Sequence, residues 1–142
     1  MGEAVLVPRL AIGPLAGAAV FLILTGGRIP MGRPIVLGRA LMVHWLALGV
    51  GAGLEEAVWR GLVLGGLVAA IGPLGALALS SAGFAVWHRS LGWRCGIHLV
   101  TGAVFGIAFL AGGLVAAILA HVVYNVLVDW AIHAERAAPR GS

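Results

Sequence analysis

The stretch Leu54-Glu55-Glu56-Ala57-Val58-Trp59-Arg60 places two adjacent carboxylates and an arginine inside an otherwise apolar run from Ala40 to Ile71. A charge near the middle of a bilayer costs at least about 2.5–3.5 kcal/mol, so such side chains usually face a bundle interior or an aqueous cavity. The stretch therefore predicts a membrane helix with one polar, inward face, and this face is a candidate functional site.

Helical spacing separates the roles of the two carboxylates. Residues four apart share a face, so Glu56 is expected to lie against Arg60, whereas Glu55 points roughly 100° away. The charge of Glu56 is then compensated, and Glu55 is left as a desolvated carboxylate that can accept a proton, as a general base does. The alternative is that both acids and the arginine form one neutralising structural cluster. Taken alone, the stretch leaves both interpretations open.

Composition sets the class of protein. Hydrophobic residues make up 61% of the 142 residues and charged residues 10%, whereas soluble domains have roughly 45–50% and about 25%. The chain is therefore expected to be an integral membrane protein. Since each span needs about 20 apolar residues, we predict an all-α polytopic membrane helix bundle of about five transmembrane helices. These form a single domain over residues 1–142, without a separate soluble domain.

The basic residues are all arginines, and the formal net charge is +4. They are scattered singly and mostly at predicted helix ends, so the positive-inside rule explains them better than phosphate binding does. We therefore expect a lipid bilayer and no nucleic acid as partner. The single cysteine, Cys95, excludes an intrachain disulfide and is interpreted as an inert buried thiol.

Glycine, proline and arginine residues divide the chain into spans, predicted over Ala4–Thr25, Leu41–Ile71, Leu74–His88, Gly96–Ala111 and Leu114–His133. The second is longer than a ~30 Å hydrocarbon core requires, so it either projects from the bilayer or breaks at Gly51-Ala52-Gly53. Five spans leave only Arg9 on one side, which predicts a cytoplasmic C-terminus. The arginines on the other side are Arg28, Arg33, Arg39, Arg89, Arg94, Arg136 and Arg140. A full turn at Gly51–Gly53 would divide this group, so six spans are disfavoured.

Two later spans also carry polar groups. His88 ends the third span, and His121 and Asn125 lie four residues apart on one face of the fifth. Burying such groups without partners is costly, so three helices are expected to bring them together with the carboxylates. Counted along the helices, His88 lies nearer the arginine-rich link than the other groups do. The remaining histidines are interpreted as ordinary core or interface residues; they are His44, His98 and His133.

Three motifs in this order resemble the CPBP family, the CAAX-prenyl-protease and Abi group of intramembrane endopeptidases. The motifs are Glu55-Glu56-x-x-x-Arg60, Phe84-x-x-x-His88 and His121-x-x-x-Asn125. The resemblance covers about Leu54 to Trp130, so the catalytic core is expected over about residues 40–133. Eukaryotic relatives have additional helices, so this chain looks like little more than that core.

The resemblance implies a glutamate-type peptide hydrolase. Glu55 matches the catalytic glutamate and His88 the histidine that helps hold the attacking water. His121 and Asn125 match the pair that stabilises the oxyanion, and the Glu56–Arg60 pair supports the helix and its charge. The implied partner is a membrane-anchored protein cleaved near its C-terminus: a prenylated CAAX tail or, favoured here, a bacterial C-terminal sorting segment of the myxosortase type. The expected location is the bacterial inner membrane.

Other functions compete with this interpretation. Glu55, His88 and His121 have the ligand types of a zinc site with an open position, but they lack a HExxH-type arrangement, so no cofactor is expected and zinc is disfavoured. A non-catalytic Abi-type immunity or scaffold protein is disfavoured by the intact motifs. A proton-relay transporter is disfavoured because no internal repeat is evident.

Overall fold

The computed structural model of the chain describes residues 3–29, 38–88 and 92–137. These residues form helices and no strand, so the predicted all-α class is confirmed. The helices are α1 (Glu3–Leu24), α2 (Arg39–Glu56), a π-helical segment (Ala57–Leu64), α3 (Gly65–Trp87) and α4 (Trp93–Ala137). Arg33, Arg89 and Arg140, which were assigned to one side of the membrane from the sequence, lie outside the described residues.

Within the described residues, two stretches are long and apolar enough to cross a membrane, Arg39–Trp87 and Trp93–Arg136. Each contains one glycine outside the helical conformation, Gly72 with φ 75° and Gly113 with φ 80°. Glycine adopts this left-handed region without steric cost, and Pro73 additionally lacks a backbone donor. The predicted breaks at Gly72-Pro73 and Gly112-Gly113 are therefore confirmed, whereas the number of membrane crossings stays a prediction.

Of the two alternatives for the long second span, a break at Gly51-Ala52-Gly53 is wrong, because α2 continues through all three residues. A glycine weakens a helix by only about 1 kcal/mol relative to alanine, and an unsatisfied backbone group in hydrocarbon costs more. The irregularity lies further along, where the π-helical segment begins at Ala57. Such segments shift the helical register and are frequent at functional sites.

Helix α1 packs closely along the second half of α4. A Cβ atom at Gly13 or Gly17 would collide with the backbone oxygen of Ala116 or Ala120, respectively. Small residues four apart allow helix backbones to approach in this way. The adjoining core contains Val20 and Phe105, so α1 supports α4 from behind.

Helix α2 is more exposed, and only Ala52 and Glu56 are buried along it. Exposed large apolar residues recur at a spacing of four from α2 into the π-helical segment. We call them the apolar ridge: Leu46, Val50, Leu54, Val58 and Leu62. Exposed apolar side chains at helical spacing are suited to contact with lipid. The ridge leads directly to the polar residues of the sequence motif.

Candidate active site

A buried ion pair lies where the π-helical segment meets α4. Glu56 and Arg60 both have 0% exposure, and Arg60 Nε lies 3.1 Å from Glu56 Oε2. The expected pairing of these residues is confirmed. Arg60 Nη2 also donates to the backbone oxygen of Gly102 at 2.8 Å, and the guanidinium lies 4.6 Å from the centre of the Phe84 ring. This cation–π contact and the two polar contacts hold the guanidinium between three helical segments.

The same carboxylate orients a histidine. His121 Nδ1 donates to Glu56 Oε1 at 2.8 Å, because an ionised carboxylate only accepts. The His121 ring stacks on Phe105 with centroids 4.7 Å apart and is 5% exposed. These contacts direct Nε2 of His121 towards Glu55.

Glu55 points away from the ion pair, as expected. Its Oε2 lies 3.6 Å from His88 Nε2 and 4.0 Å from His121 Nε2. This oxygen is buried, and within the described residues no group hydrogen-bonds to it. The whole side chain is 35% exposed, so the expectation of a strongly desolvated carboxylate holds for Oε2 and not for the entire group.

His88 reaches Glu55 from the end of α3. Its Nδ1 donates to the backbone oxygen of Phe84 at 2.8 Å, since a carbonyl oxygen only accepts. The ring is stacked on His98 with centroids 4.4 Å apart and planes at 18°. These contacts aim Nε2 at Glu55. The sequence-based expectation, from counting along the helices, placed His88 nearer the arginine-rich link than the other site residues.

Asn125 is the predicted site residue for which the described part of the structure shows no hydrogen bond to the others. It lies one turn beyond His121 on α4 and is half-buried. Within the described residues its side chain makes no hydrogen bond. The structure thus brings together Glu55, Glu56, Arg60, His88 and His121, which we call the site cluster.

His98 was not expected in the site. Besides stacking on His88, its ring lies 6.3 Å from that of Phe84. The signal that suggests this contact is the short separation in sequence between the end of α3 at Trp87 and the beginning of α4 at Trp93. His98 is thus part of the wall behind His88.

An apolar pocket of about 440 Å³ adjoins Glu55, which is the one charged residue among its described lining residues. We call it the tryptophan pocket, and its lining is Leu54, Glu55, Val58, Trp59 and Trp87. Trp59 is seated on Gly83, where a Cβ atom would collide with the indole. The Trp59 ring lies 6.5 Å from the ring of Phe84 and 6.5 Å from that of Trp87.

The donor atoms of Glu55, His88 and His121 are of the types that zinc binds. Ligand atoms around tetrahedral zinc are about 3.3 Å apart, given bonds of about 2.0 Å. The distances from Glu55 Oε2 to the two imidazoles are longer, at 3.6 and 4.0 Å. In the described part of the chain, no three His, Cys, Asp or Glu groups are arranged to hold a metal ion.

A second polar group, the distal polar cluster, joins the beginning of α2 to the end of α4. It contains His44, Trp45, Asp129 and His133. Trp45 Nε1 donates to Asp129 Oδ2 at 2.9 Å, and His44 Nε2 lies 3.2 Å from Asp129 Oδ1. His133 Nδ1 donates to the backbone oxygen of Asp129 at 2.8 Å. The interpretation of His44 as an interface residue is confirmed.

Comparison with known proteins defines the family. A family model described as type II CAAX prenyl endopeptidase, Rce1-like, matches residues 38–127. No curated protein and no solved structure matches the chain. The matched range contains every residue of the site cluster, whereas α1 lies outside it. The chain therefore belongs to the Rce1-like family of type II CAAX prenyl endopeptidases, which are membrane-embedded proteases.

Proposed function

We propose that this protein is a glutamate-type intramembrane endopeptidase that hydrolyses a peptide bond near the C-terminus of membrane-associated proteins. One observation carries the proposal. Glu55 Oε2 is a buried acceptor without a hydrogen-bond partner in the described residues, and it faces two imidazole nitrogens at 3.6 and 4.0 Å. A water molecule placed between these groups would be polarised by all three.

The distances suit a bridging water. A water that makes hydrogen bonds of about 2.8 Å spans two groups separated by 3.6 to 4.0 Å. Neutral His88 with its proton on Nδ1 presents Nε2 as an acceptor. The water can then donate one proton towards Glu55 and the other towards His88. Its lone pairs are left to attack a carbonyl carbon.

In the proposed reaction, Glu55 takes a proton from the water as its oxygen bonds to the substrate carbonyl carbon. The tetrahedral intermediate collapses when the bond between carbon and nitrogen breaks, and Glu55 returns the proton to the leaving amine. Atoms and charges balance without a further reactant. The carboxylate acts first as general base and then as general acid.

His121 and Asn125 are the proposed oxyanion donors. His121 uses Nδ1 to donate to Glu56, so donation from Nε2 requires a ring that carries both protons. The single carboxylate of Glu56 lies between this imidazolium and the Arg60 guanidinium and stabilises both cations. Asn125 supplies a carboxamide N–H from the next turn of α4. Each such donor contributes roughly 10²–10³ in rate in a site that excludes water.

We further propose five membrane crossings in the bacterial inner membrane, with the C-terminus in the cytoplasm. The breaks at Gly72 and Gly113 divide the two long helical stretches as this topology requires. Single cysteines placed at the two breaks and near the C-terminus, in a Cys95→Ser background, can be labelled by a membrane-impermeant reagent. Labelling of the C-terminal cysteine in intact cells would contradict the topology, whereas labelling at the breaks supports it.

The activity can be tested in cells that express reporters ending in different C-terminal membrane tails, including sorting segments of the favoured class and prenylated CAAX tails. Wild type should release a reporter, and Glu55→Gln should not. Glu135→Gln removes an exposed carboxylate from the end of α4 and should leave cleavage unchanged.

A chelator, added both to cells with wild-type protein and to cells with Glu55→Gln, tests the metal-free mechanism. Cleavage that persists in chelator and is lost in Glu55→Gln supports a glutamate-type protease. Loss of cleavage in chelator, restored by zinc, would overturn the metal-free mechanism. Absence of cleavage for every tail would favour the non-catalytic membrane protein.

A further inference from the structure

We propose that the tryptophan pocket binds a bulky apolar side chain of the substrate, from a residue close to the cleaved bond, and that Val58 limits the size of that side chain. The inference rests on the proposed protease function and adds a pocket residue that determines which side chain is accepted. The pocket is defined above by Leu54, Glu55, Val58, Trp59 and Trp87.

The position of Glu55 connects this pocket to the reaction. Its Oε2 faces the imidazoles of His88 and His121, and the same residue forms part of the pocket wall. A group that fills the pocket therefore lies beside the carboxylate that is proposed to activate water. The other described lining residues are apolar or aromatic, so an acidic side chain would lose its hydration there and would be repelled by Glu55.

The inner wall is held in place before any substrate binds. Trp59 lies against Gly83, which leaves no room for a Cβ atom, and its backbone oxygen accepts a 2.8 Å hydrogen bond from Ser80 Oγ. Phe84 and Trp87 contact its ring edge to face. A wall with so little freedom selects by shape, because little ordering is required on binding.

The outer side of the pocket opens onto the apolar ridge. Leu54 and Trp87 are each 67% exposed, and Val58 is 48% exposed. An apolar residue of a membrane-embedded segment can therefore enter sideways. Val58 lies in the wall, while Leu62, at 73% exposure, is the next ridge residue and is not part of the lining.

A substrate side chain suits this pocket better than a free lipid chain does. A lipid chain is already surrounded by hydrocarbon and gains little by moving into another apolar space. A side chain attached to the substrate backbone instead positions the neighbouring peptide bond at Glu55, and such positioning lowers the barrier to reaction. The volume of about 440 Å³ lies within the range of roughly 300–1,000 Å³ found for specific ligand sites.

The test uses a reporter library in which the segment before the membrane tail and the first residues of that tail are randomised, and cleaved products are sequenced. Wild type should enrich Leu, Phe or Trp at one position. Val58→Trp should lower kcat/KM for those sequences by roughly 10–100-fold relative to Ala at that position, a range typical of changes in apolar pockets. Leu62→Trp is the matched control and should retain the wild-type preference. Val58→Ala, which enlarges the pocket, should shift the preference towards Trp.

The outcomes separate the two proposals. Cleavage in wild type with the same residue preference in all Val58 variants would overturn the pocket assignment and leave the protease standing. Glu55→Gln protein can also be photocrosslinked to a tail peptide that carries benzophenylalanine at the enriched position. If the library yields no cleaved product, the benzophenylalanine is placed at each position of the peptide in turn. The pocket is supported if the peptide crosslinks to Trp59 or Trp87 and the crosslink is lost in Val58→Trp but kept in Leu62→Trp. This result supports the pocket even if no tail is cleaved. Crosslinks that both variants retain, or that excess lipid removes, overturn it.

Discussion

The site cluster and the distal polar cluster both use an acidic residue and histidine to join α2 or its π-helical continuation to α4, yet they differ in how completely the carboxylate is satisfied. Both side-chain oxygens of Asp129 have partners, one in His44 and one in Trp45. Oε2 of Glu55 has no hydrogen-bond partner among the described residues, and the two imidazole nitrogens that face it lie 3.6 and 4.0 Å away. A carboxylate whose oxygens all have a hydrogen bond or a close ion pair serves structure, as in Asp129 and Glu56, whereas a buried oxygen that has neither, as in Glu55, is available for chemistry.

Burial differs as well. Glu56 and Arg60 are completely buried, and the side chain of Asp129 is 16% exposed. Removal of one partner from a buried pair leaves an uncompensated charge, while loss of one hydrogen bond near the surface costs much less. The clusters also lie about 16 Å apart along α2, from Trp45 to Glu56. Mutations should therefore separate activity from stability.

The largest effect is expected for Glu55→Gln. This change keeps the shape of the side chain and removes the base, so kcat should fall about 10²–10⁴-fold. The melting temperature should change little, because Glu55 Oε2 makes no hydrogen bond within the described residues. Cleavage kinetics and thermal unfolding of the same detergent preparation measure the two quantities. A fall in kcat matched by a large fall in melting temperature would mean that Glu55 is structural, like Asp129.

Arg60→Met should have the largest effect on stability. It leaves Glu56 buried without its countercharge, which costs about 3–5 kcal/mol in comparable pairs. Arg136→Met, at an exposed position near the end of α4, is the control and should be nearly neutral. The double variant Arg60→Met/Glu56→Gln should recover part of the loss. Equal melting temperatures for Arg60→Met and Arg136→Met would show that the buried pair contributes no stability.

Local sequence patterns predicted a large part of this architecture. The spacing of four between Glu56 and Arg60 was sufficient to pair them, since helical geometry alone brings such residues together. Gly72-Pro73 and Gly112-Gly113 marked real breaks because positive φ angles and a missing donor act locally. Gly51 and Gly53 suggested a possible break that the structure does not contain. The sequence alone does not show the cost of opening helical hydrogen bonds in an apolar environment.

Contacts between residues far apart in the sequence were harder to predict. The motifs placed His121 in the site, but its 2.8 Å hydrogen bond to Glu56 joins residues 65 positions apart and depends on how two helices pack. The stacking of His98 on His88 and the seat of Trp59 on Gly83 depend on tertiary packing in the same way. The π-helical segment also changes which residues face α3, and the period of apolar residues did not indicate it.

Gly83→Ala should have an intermediate effect, and it tests the wall of the tryptophan pocket. The new methyl group would displace Trp59, and overpacking of this kind costs typically about 1–3 kcal/mol. Gly66→Ala is the control, because no atom lies within 4 Å of a Cβ atom at that helical position. It should be neutral or slightly stabilising. Thermal unfolding together with the residue preference in the cleavage library would detect both changes, and identical results for the two variants would contradict the proposed seat of Trp59.

The smallest effect is expected at the distal polar cluster, where Asp129→Asn keeps the shape of the side chain and one carbonyl oxygen. That oxygen can still accept from Trp45 Nε1, so the variant should lose about 0.5–1.5 kcal/mol, the contribution of one hydrogen bond. Asp129→Ala removes both contacts and should lose more. Because this cluster contacts no residue of the site cluster directly, kcat and residue preference should remain within about twofold of wild type in Asp129→Asn. A fall in kcat comparable to that of Glu55→Gln, without a loss of stability, would show that the distal carboxylate takes part in the reaction and that its full set of partners does not mark a structural role.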